Sequence, residues 1–149
     1  MLSKKTKYAI KALVALAKSE RGVPVLISRL AEEERIPKKF LELILLELRN
    51  AGVLHSKKGA GGGYYLARDP ADIKLVQILR VTDGPIALLP CVSLNFYERC
   101  DECKDEHTCG IRNVFVDVRD AVLRILTETS IADIVGREGE LTKHLNLTT

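Results

Sequence analysis

All four cysteines of the chain lie in one short polar stretch, Cys91–Cys109, with the spacing C-x8-C-x2-C-x5-C. Four thiolates can complete a tetrahedral sulfur shell, which suits zinc or an iron–sulfur cluster. The same thiols could instead form reversible disulfides. His107, within the stretch, is a weaker alternative ligand. The candidate metal ligands are therefore Cys91, Cys100, Cys103 and Cys109, of which Cys100 and Cys103 have a familiar chelating spacing.

Acidic residues surround these cysteines, namely Glu98, Asp101, Glu102, Asp105 and Glu106. Their charge disfavours thiolates in an empty loop unless a cation is present. This favours an occupied metal site over a constitutively reactive thiol. A thiol oxidoreductase would need its Cys-x2-Cys at a helix start in a βαβ unit, and the sequence predicts neither. We therefore do not expect an enzyme.

The composition predicts a folded, cytoplasmic protein. The chain has 149 residues, of which 46% are apolar, enough for a buried core. No apolar run reaches the roughly 18 residues that a membrane span needs, so no membrane partner is expected. Lys11 interrupts the apolar N-terminal stretch, which therefore reads as an amphipathic helix and not as a signal peptide. Clustered cytosolic cysteines favour metal or redox chemistry over structural disulfides.

Positive charge is concentrated in the N-terminal part of the chain. Residues 1–68 contain 14 lysines and arginines against 6 acidic residues, whereas residues 69–149 contain 9 against 14. Such a split points to a polyanionic partner, although a solvated basic face is the alternative. Lys4, Lys5 and Lys7 crowd the start of a helix predicted for residues 3–19. That end of a helix favours anions, so a bound phosphate would explain these lysines.

The next elements have the pattern of a helix-turn-helix. Ser28 is a suitable N-cap for a short helix ending near Glu34. Pro37 occupies the first position of a further helix that runs to about Asn50, with Gly52 just beyond its end. Because this last helix is mostly apolar, base contacts must come from its first turn and from its end. The residues predicted to face DNA are Ser28, Lys38, Lys39, Glu42 and Arg49.

A glycine-rich hairpin follows, with strands predicted at residues 53–57 and 64–67. It is not a phosphate-binding loop of the nucleotide-binding kind, because no Gly-Lys-Ser/Thr follows and no helix opens from the glycines. A basic hairpin directly after a helix-turn-helix is typical of a wing that enters a minor groove. The predicted wing contacts are Lys57, Lys58, Gly61 and Gly62.

The rest of the chain predicts a linker and a dimerisation helix. Asp72 should cap a fourth helix over residues 73–81, followed by the cysteine loop. From Ile111 an apolar stripe with helical spacing indicates an amphipathic helix that needs a partner, either a second copy of the chain or the first domain. The stripe consists of Ile111, Val114, Phe115, Val118, Val122 and Ile125. Ser130 and Asp133 open a short helix that Gly136 should end.

The expected fold is thus mostly α with a small β-hairpin wing. It comprises a winged helix-turn-helix domain (residues 1–83), a cysteine-rich sensor loop (84–110), a dimerisation helix with a short terminal helix (111–136) and a flexible tail (137–149).

Three segments together resemble the IscR/NsrR/CymR (Rrf2) family of bacterial winged-helix regulators. They are SKKTKYAIKALVALA, IPKKFLELILLELRNAGVLHSKKGAGGGYYLARDP, and the cysteine loop with its following helix and SIADIV. The resemblance covers nearly the whole chain and implies homodimers that bind palindromic promoter sites in double-stranded DNA. The third helix would lie in the major groove and the wing in the minor groove. Lys58 would replace the arginine that the family places there.

The resemblance also implies a sensor. Some relatives hold an iron–sulfur cluster through three cysteines and one other ligand, and sense iron–sulfur status or nitric oxide. Others respond to a partner protein or to thiol oxidation. The cysteine loop of this chain is accordingly expected to sense redox, iron–sulfur or nitric-oxide status. Cys103 and Cys109 match the usual last pair, but Arg112 stands where some relatives have a histidine ligand and Lys7 where others have a carboxylate. An iron–sulfur cluster is the expected cofactor, with four cysteines or with His107. A thiol switch without cofactor, a structural zinc and a loop regulated by a partner protein without a cluster are the alternatives.

Overall fold

The structure, a computed structural model, describes residues 2–147. Within this range the chain forms six α-helices and one two-stranded antiparallel sheet. In chain order the elements are α1 (Lys4–Lys18), α2 (Ile27–Glu34), α3 (Lys38–Asn50), β1 (Leu54–Lys57), β2 (Gly63–Leu66), α4 (Leu75–Thr82), α5 (Gly110–Glu128) and α6 (Ile131–Leu147). Short 3-10 turns cover Pro70–Asp72, Pro90–Val92 and Glu106–Thr108. The predicted fold class is confirmed.

The core lies between α1, α3, α4 and the start of α6. Side chains at three- and four-residue spacing are fully buried on α1 and α3, as expected for amphipathic helices that share one core. The fully buried residues include Ala9, Ala12, Leu13, Leu41, Ile44, Leu45, Leu48, Ile73, Ile78 and Ile131. Ile131 donates its backbone N–H to the carbonyl of Ile73 at 2.9 Å, which ties α6 to the segment before α4. The C-terminal helix therefore packs on the N-terminal domain.

The hairpin is held to the helices by a third backbone segment. Leu54 pairs with Leu66 and Lys57 with Gly63, and Val25 adds a bridge to Tyr64 through N–H···O bonds of 2.9 and 3.0 Å. A Cβ at Gly63 would lie 2.1 Å from the Val25 carbonyl oxygen. Glycine is therefore required where the wing approaches the α1–α2 connection.

Three predicted helix starts differ from the structure. The N-cap of α2 is Leu26, so Ser28 lies inside the helix. Pro37 is the N-cap of α3 and not its first helical residue. Asp72 lies in a 3-10 turn, and α4 begins later, after Lys74. Burial of the apolar faces decides where these short helices begin, and it outweighs the capping preference of a single side chain.

The last helix is longer than predicted. Ser130 and Asp133 do open α6: the Asp133 N–H donates to Ser130 Oγ at 3.1 Å, and the Ser130 N–H donates to Asp133 Oδ2 at 2.8 Å. The prediction that Gly136 ends the helix is wrong, because α6 continues to Leu147, and residues 137–147 of the predicted flexible tail are helical. The last two residues of that predicted tail lie outside the described residues. A glycine inside a helix costs only about 1 kcal/mol. The packing of Ile134 and Val135 and an ion pair between Lys18 and Glu138 support the helix across this point.

None of the helices within residues 2–147 is both long enough and apolar enough to cross a membrane.

Candidate nucleic-acid interface and cysteine cavity

The outward face of α3 carries the predicted first-turn contacts. Lys38, Lys39 and Glu42 are exposed, because the buried leucines of the helix turn its opposite face into the core. Arg49 is half-buried, and its guanidinium donates to Ser56 Oγ on β1 at 3.4 Å. Arg49 thus lies between α3 and the wing, while Ser28 is exposed on α2.

The three lysines at the start of α1 have different surroundings. Lys4 and Lys7 are exposed, whereas Lys5 forms an ion pair with Glu47 of α3 at 2.7 Å. The Ser3 hydroxyl caps the helix by accepting from the Thr6 N–H at 3.1 Å. Of these three lysines, Lys5 is therefore the one that the ion pair with Glu47 holds against α3.

A carboxylate of the chain itself lies at this helix start. The Ser3 N–H donates to Asp83 Oδ2 at 3.3 Å, and the Ser3 hydroxyl also donates to Asp83. Burial opposes ionisation, but the hydrogen bonds from Ser3 and Thr6, with the charge of Lys5, hold the pKa of Asp83 below its ordinary value. Asp83, at the end of α4, supplies the anion that the start of α1 favours.

The wing places its two lysines at the surface. Lys57, Lys58 and Gly61 are exposed, whereas Gly62 is buried inside the turn. The Gly62 N–H donates to the Gly59 carbonyl at 3.0 Å, and a Cβ at Gly62 would lie 2.3 Å from the Lys57 carbonyl oxygen. Gly62 therefore shapes the wing and is not an exposed contact.

All four cysteines line one cavity of about 430 Å³. Cys91 is buried in the 3-10 turn Pro90–Val92, which follows α4 in the chain, and the other three cysteines are half-buried. Cys109 is the N-cap of α5, where its sulfur accepts from the Arg112 N–H at 3.4 Å. The fold thus brings together residues that the sequence only placed in the same loop.

Two of these cysteines have raised pKa values. The Cys100 thiol donates to Glu102 Oε2 at 3.2 Å, and this bond is the main cause that raises the pKa of Cys100. Burial, together with the neighbouring thiols of Cys109 and Cys100, raises the pKa of Cys103. A bound cation would reverse these effects by stabilising the thiolates.

The predicted alternative ligand is not among the residues that line this cavity. His107 is exposed in the turn beside it, and its backbone N–H donates to Asp105 at 3.0 Å. Within residues 2–147 no three histidine, cysteine or acidic side chains lie close enough together to hold a single metal ion. The cavity therefore groups the four sulfurs without forming a compact single-ion site.

Two arginines that sequence reasoning did not select fasten the loop to α5. Arg112 Nε donates to the Cys91 carbonyl at 3.3 Å, and Arg119 donates to the Val92 carbonyl at 2.7 Å. The Arg119 side chain is only 13% exposed. Both arginines follow the last cysteine on one helix, but their carbonyl partners depend on tertiary folding and have no local sequence signal.

The apolar stripe of α5 faces outward. Ile111, Val114, Val122 and Ile125 are 67, 57, 40 and 53% exposed, and no residue of α5, which is described along its whole length, is buried. Phe115 and Val118 are half-buried. One edge of the helix does return to the first domain, since Val118 and Val122 share a second cavity with Leu79 of α4.

Comparison with known proteins gives one consistent family. The Rrf2 family, described as iron-dependent transcriptional regulators, matches residues 2–137. The chain is 43% identical over 138 residues to an rrf2-like HTH-type transcriptional regulator of Rhodobacter capsulatus, covering 91% of this chain and 92% of the relative.

Two solved structures resemble it over most of their length. CymR (YrzC), the global cysteine regulator of B. subtilis, has a TM-score of 0.76 at 28% identity and covers 92% of this chain and 97% of its own. IscR of T. potens has a TM-score of 0.73 at 28% identity and covers 95% and 90%.

Proposed function

Because this chain belongs to the Rrf2 family of transcriptional regulators, we propose that it binds a palindromic promoter site as a homodimer under the control of its cysteine cavity. We propose further that an iron–sulfur cluster is the group that this cavity holds. The observation that carries the proposal is that all four cysteines line one cavity beside the start of α5.

The DNA-binding surface consists of the first turn of α3 and the wing. Lys38, Lys39 and Glu42 would face the major groove, and Lys57 and Lys58 the minor groove beside it. Lys4 and Lys7 on α1 are exposed and available to phosphates, whereas Lys5 is held by Glu47. The concentration of positive charge in residues 1–68 supports this assignment.

The exposed stripe of α5 is the proposed dimer contact. An apolar stripe of this length on a helix without a buried residue needs a partner, and a two-fold contact between two copies would cover both stripes at once. A dimer also suits a palindromic site, because the protein symmetry then matches that of the DNA.

The cysteine arrangement fits a cluster better than a zinc ion. A single ion needs its ligands gathered around one point, and no such group of three is present within residues 2–147. A cluster spreads its cysteine ligands over several irons, so the sulfurs can line a wider cavity. The hydrogen bond from the Cys100 thiol to the Glu102 carboxylate also disfavours a free reactive thiolate at Cys100. Bound in this cavity, a cluster would supply reversible redox chemistry and sensitivity to iron supply.

The cavity is linked mechanically to the DNA-binding surface. Arg112 and Arg119 tie the loop to α5 through the carbonyls of Cys91 and Val92. At the other end of the linker, Asp83 contacts Ser3 at the start of α1. A change in the loop would therefore alter how the DNA-binding domains sit on the dimer helix, and half-sites one DNA turn apart tolerate little change in spacing.

The test is the visible spectrum, iron content and sulfide content of protein purified without oxygen. We expect the unaltered protein to be brown and to contain iron and sulfide. The C103S and C109S variants should lose both iron and sulfide. Colourless protein with stoichiometric zinc would overturn the cluster. Colourless protein that gains a disulfide between the adjacent thiols of Cys103 and Cys109 under peroxide would establish the thiol switch instead.

A further inference from the structure

The outward face of α3 is partly apolar. The helix buries Leu41, Ile44, Leu45 and Leu48 completely, but Leu43 is 59% and Leu46 38% exposed. Because the buried residues already fill the core-facing side, the helix cannot turn these two leucines inward without expelling the others. Leu43 and Leu46 are thus fixed at the surface.

These leucines share one stripe with the polar residues of the proposed interface. Lys39, Glu42, Leu43 and Leu46 follow the spacing i, i+3, i+4 and i+7, which places them on one side of a helix. Lys38 and Lys39 lie at the start of that helix, and Lys57 is exposed on the adjacent wing. The apolar patch therefore lies beside several lysines and one carboxylate, Glu42, and the excess of positive charge favours a covering surface with both negative charge and an apolar group.

The major groove of DNA has this combination. Its phosphates are negative, and the C5-methyl of thymine is the apolar group that a base pair presents there. Relying on the DNA-binding function proposed above, we infer that Leu43 is a specificity-determining residue that packs on a thymine methyl in each half-site. Leu46, one turn further along, extends the same apolar contact. Glu42, adjacent to Leu43, supplies a hydrogen-bond acceptor beside it.

The experiment begins by selecting duplexes from a random pool with the full-length protein. Each thymine of the selected site is then replaced in turn by deoxyuridine, which removes only the C5-methyl group. We expect one position per half-site at which this weakens binding of the unaltered protein by about fourfold, the loss expected for one buried methyl group. L43A should bind the thymine and deoxyuridine duplexes equally.

The matched control is L141A, which shortens a leucine that is 63% exposed on α6, away from α3. L141A should keep the full difference between the two duplexes. If L43A retains the sensitivity of the unaltered protein at every thymine, the role of Leu43 is refuted while DNA binding stands. If no duplex is enriched at all, the DNA-binding function fails, and the inference fails with it.

Discussion

At the scale of single residues, Gly61 and Gly63 on either side of the buried Gly62 are needed in the wing for different reasons. Gly63 is crowded, since its missing side chain makes room for the Val25 carbonyl. Gly61 has open space around it but a φ of +72°, which side chains disfavour. Gly63 thus holds the wing to the domain, and Gly61 shapes the tip of the wing.

Replacing Gly63 by alanine should therefore destabilise the fold by about 2–4 kcal/mol, because the new Cβ must displace the backbone of Val25. The matched substitution G61A should cost only about 1–2 kcal/mol, since it introduces strain without a collision. Urea unfolding followed by circular dichroism measures both values. Equal losses for the two variants would show that the contact with Val25 does not hold the wing in place.

At the scale of elements, α5 combines two tasks. Its outward stripe is exposed, while Arg112 and Arg119 on its other side bind carbonyls of the cysteine loop. These two hydrogen bonds add to the covalent link at Cys109, which lines the cavity and is the N-cap of α5. A movement of the loop would therefore act on α5 through Cys109 and the two arginines.

Replacing Arg119 by alanine should loosen the loop, because the Val92 carbonyl loses a short hydrogen bond from a largely buried guanidinium. We expect backbone amides of residues 92–94 to exchange hydrogen about tenfold faster, corresponding to a loss of about 1.4 kcal/mol. Hydrogen–deuterium exchange with mass spectrometry measures this change. R124A, which removes an arginine exposed on the same helix and facing Glu128, is the control and should leave the loop unchanged. If hydrogen exchange in the loop is equal in both variants, the hydrogen bond from Arg119 does not hold the loop on α5.

Comparing elements also shows what could be predicted from the sequence. The helices of the first domain and the hairpin were predictable, because the apolar spacing on α1 and α3 and the glycines of the wing act locally. Helix ends were less predictable: Ser28 and Asp72 have good capping side chains, yet tertiary burial begins α2 and α4 elsewhere. The helix end predicted at Gly136 was wrong for the same reason, because contacts with α1 stabilise α6 beyond that residue.

For the candidate sites too, some features could be predicted from the sequence and others depend on the fold. The spacing of the cysteines places all four in one loop, but only the fold shows that they line one cavity and that His107 is not among the lining residues. The exposure of Leu43 was hidden, because a run of leucines on one helix does not say which of them faces the core.

At the scale of the whole molecule, the proposed DNA-binding surface on α3 and the wing and the apolar outer stripe of α5 are formed by different elements. α6 returns from α5 to pack on α1, and its first turns contribute Ile131, Ile134 and Val135 to the core that α1 shares. The α5 stripe is left outside that core, with Ile111 and Val114 more than half exposed. We propose that two copies join through this stripe.

The double substitution V114E/I125E should therefore convert the proposed dimer to a monomer, since a two-fold contact would bring the introduced carboxylates into an apolar interface. Sedimentation velocity measures this change. Affinity for a duplex with both half-sites should fall at least about 100-fold, because the second half-site no longer gains from linkage to the first. The control N113E/T127E adds the same charge at exposed positions on another side of α5 and should remain dimeric. If V114E/I125E stays dimeric and keeps its affinity, the α5 stripe is not the dimer contact, and the partly open cavity beside Leu79 becomes the next surface to test.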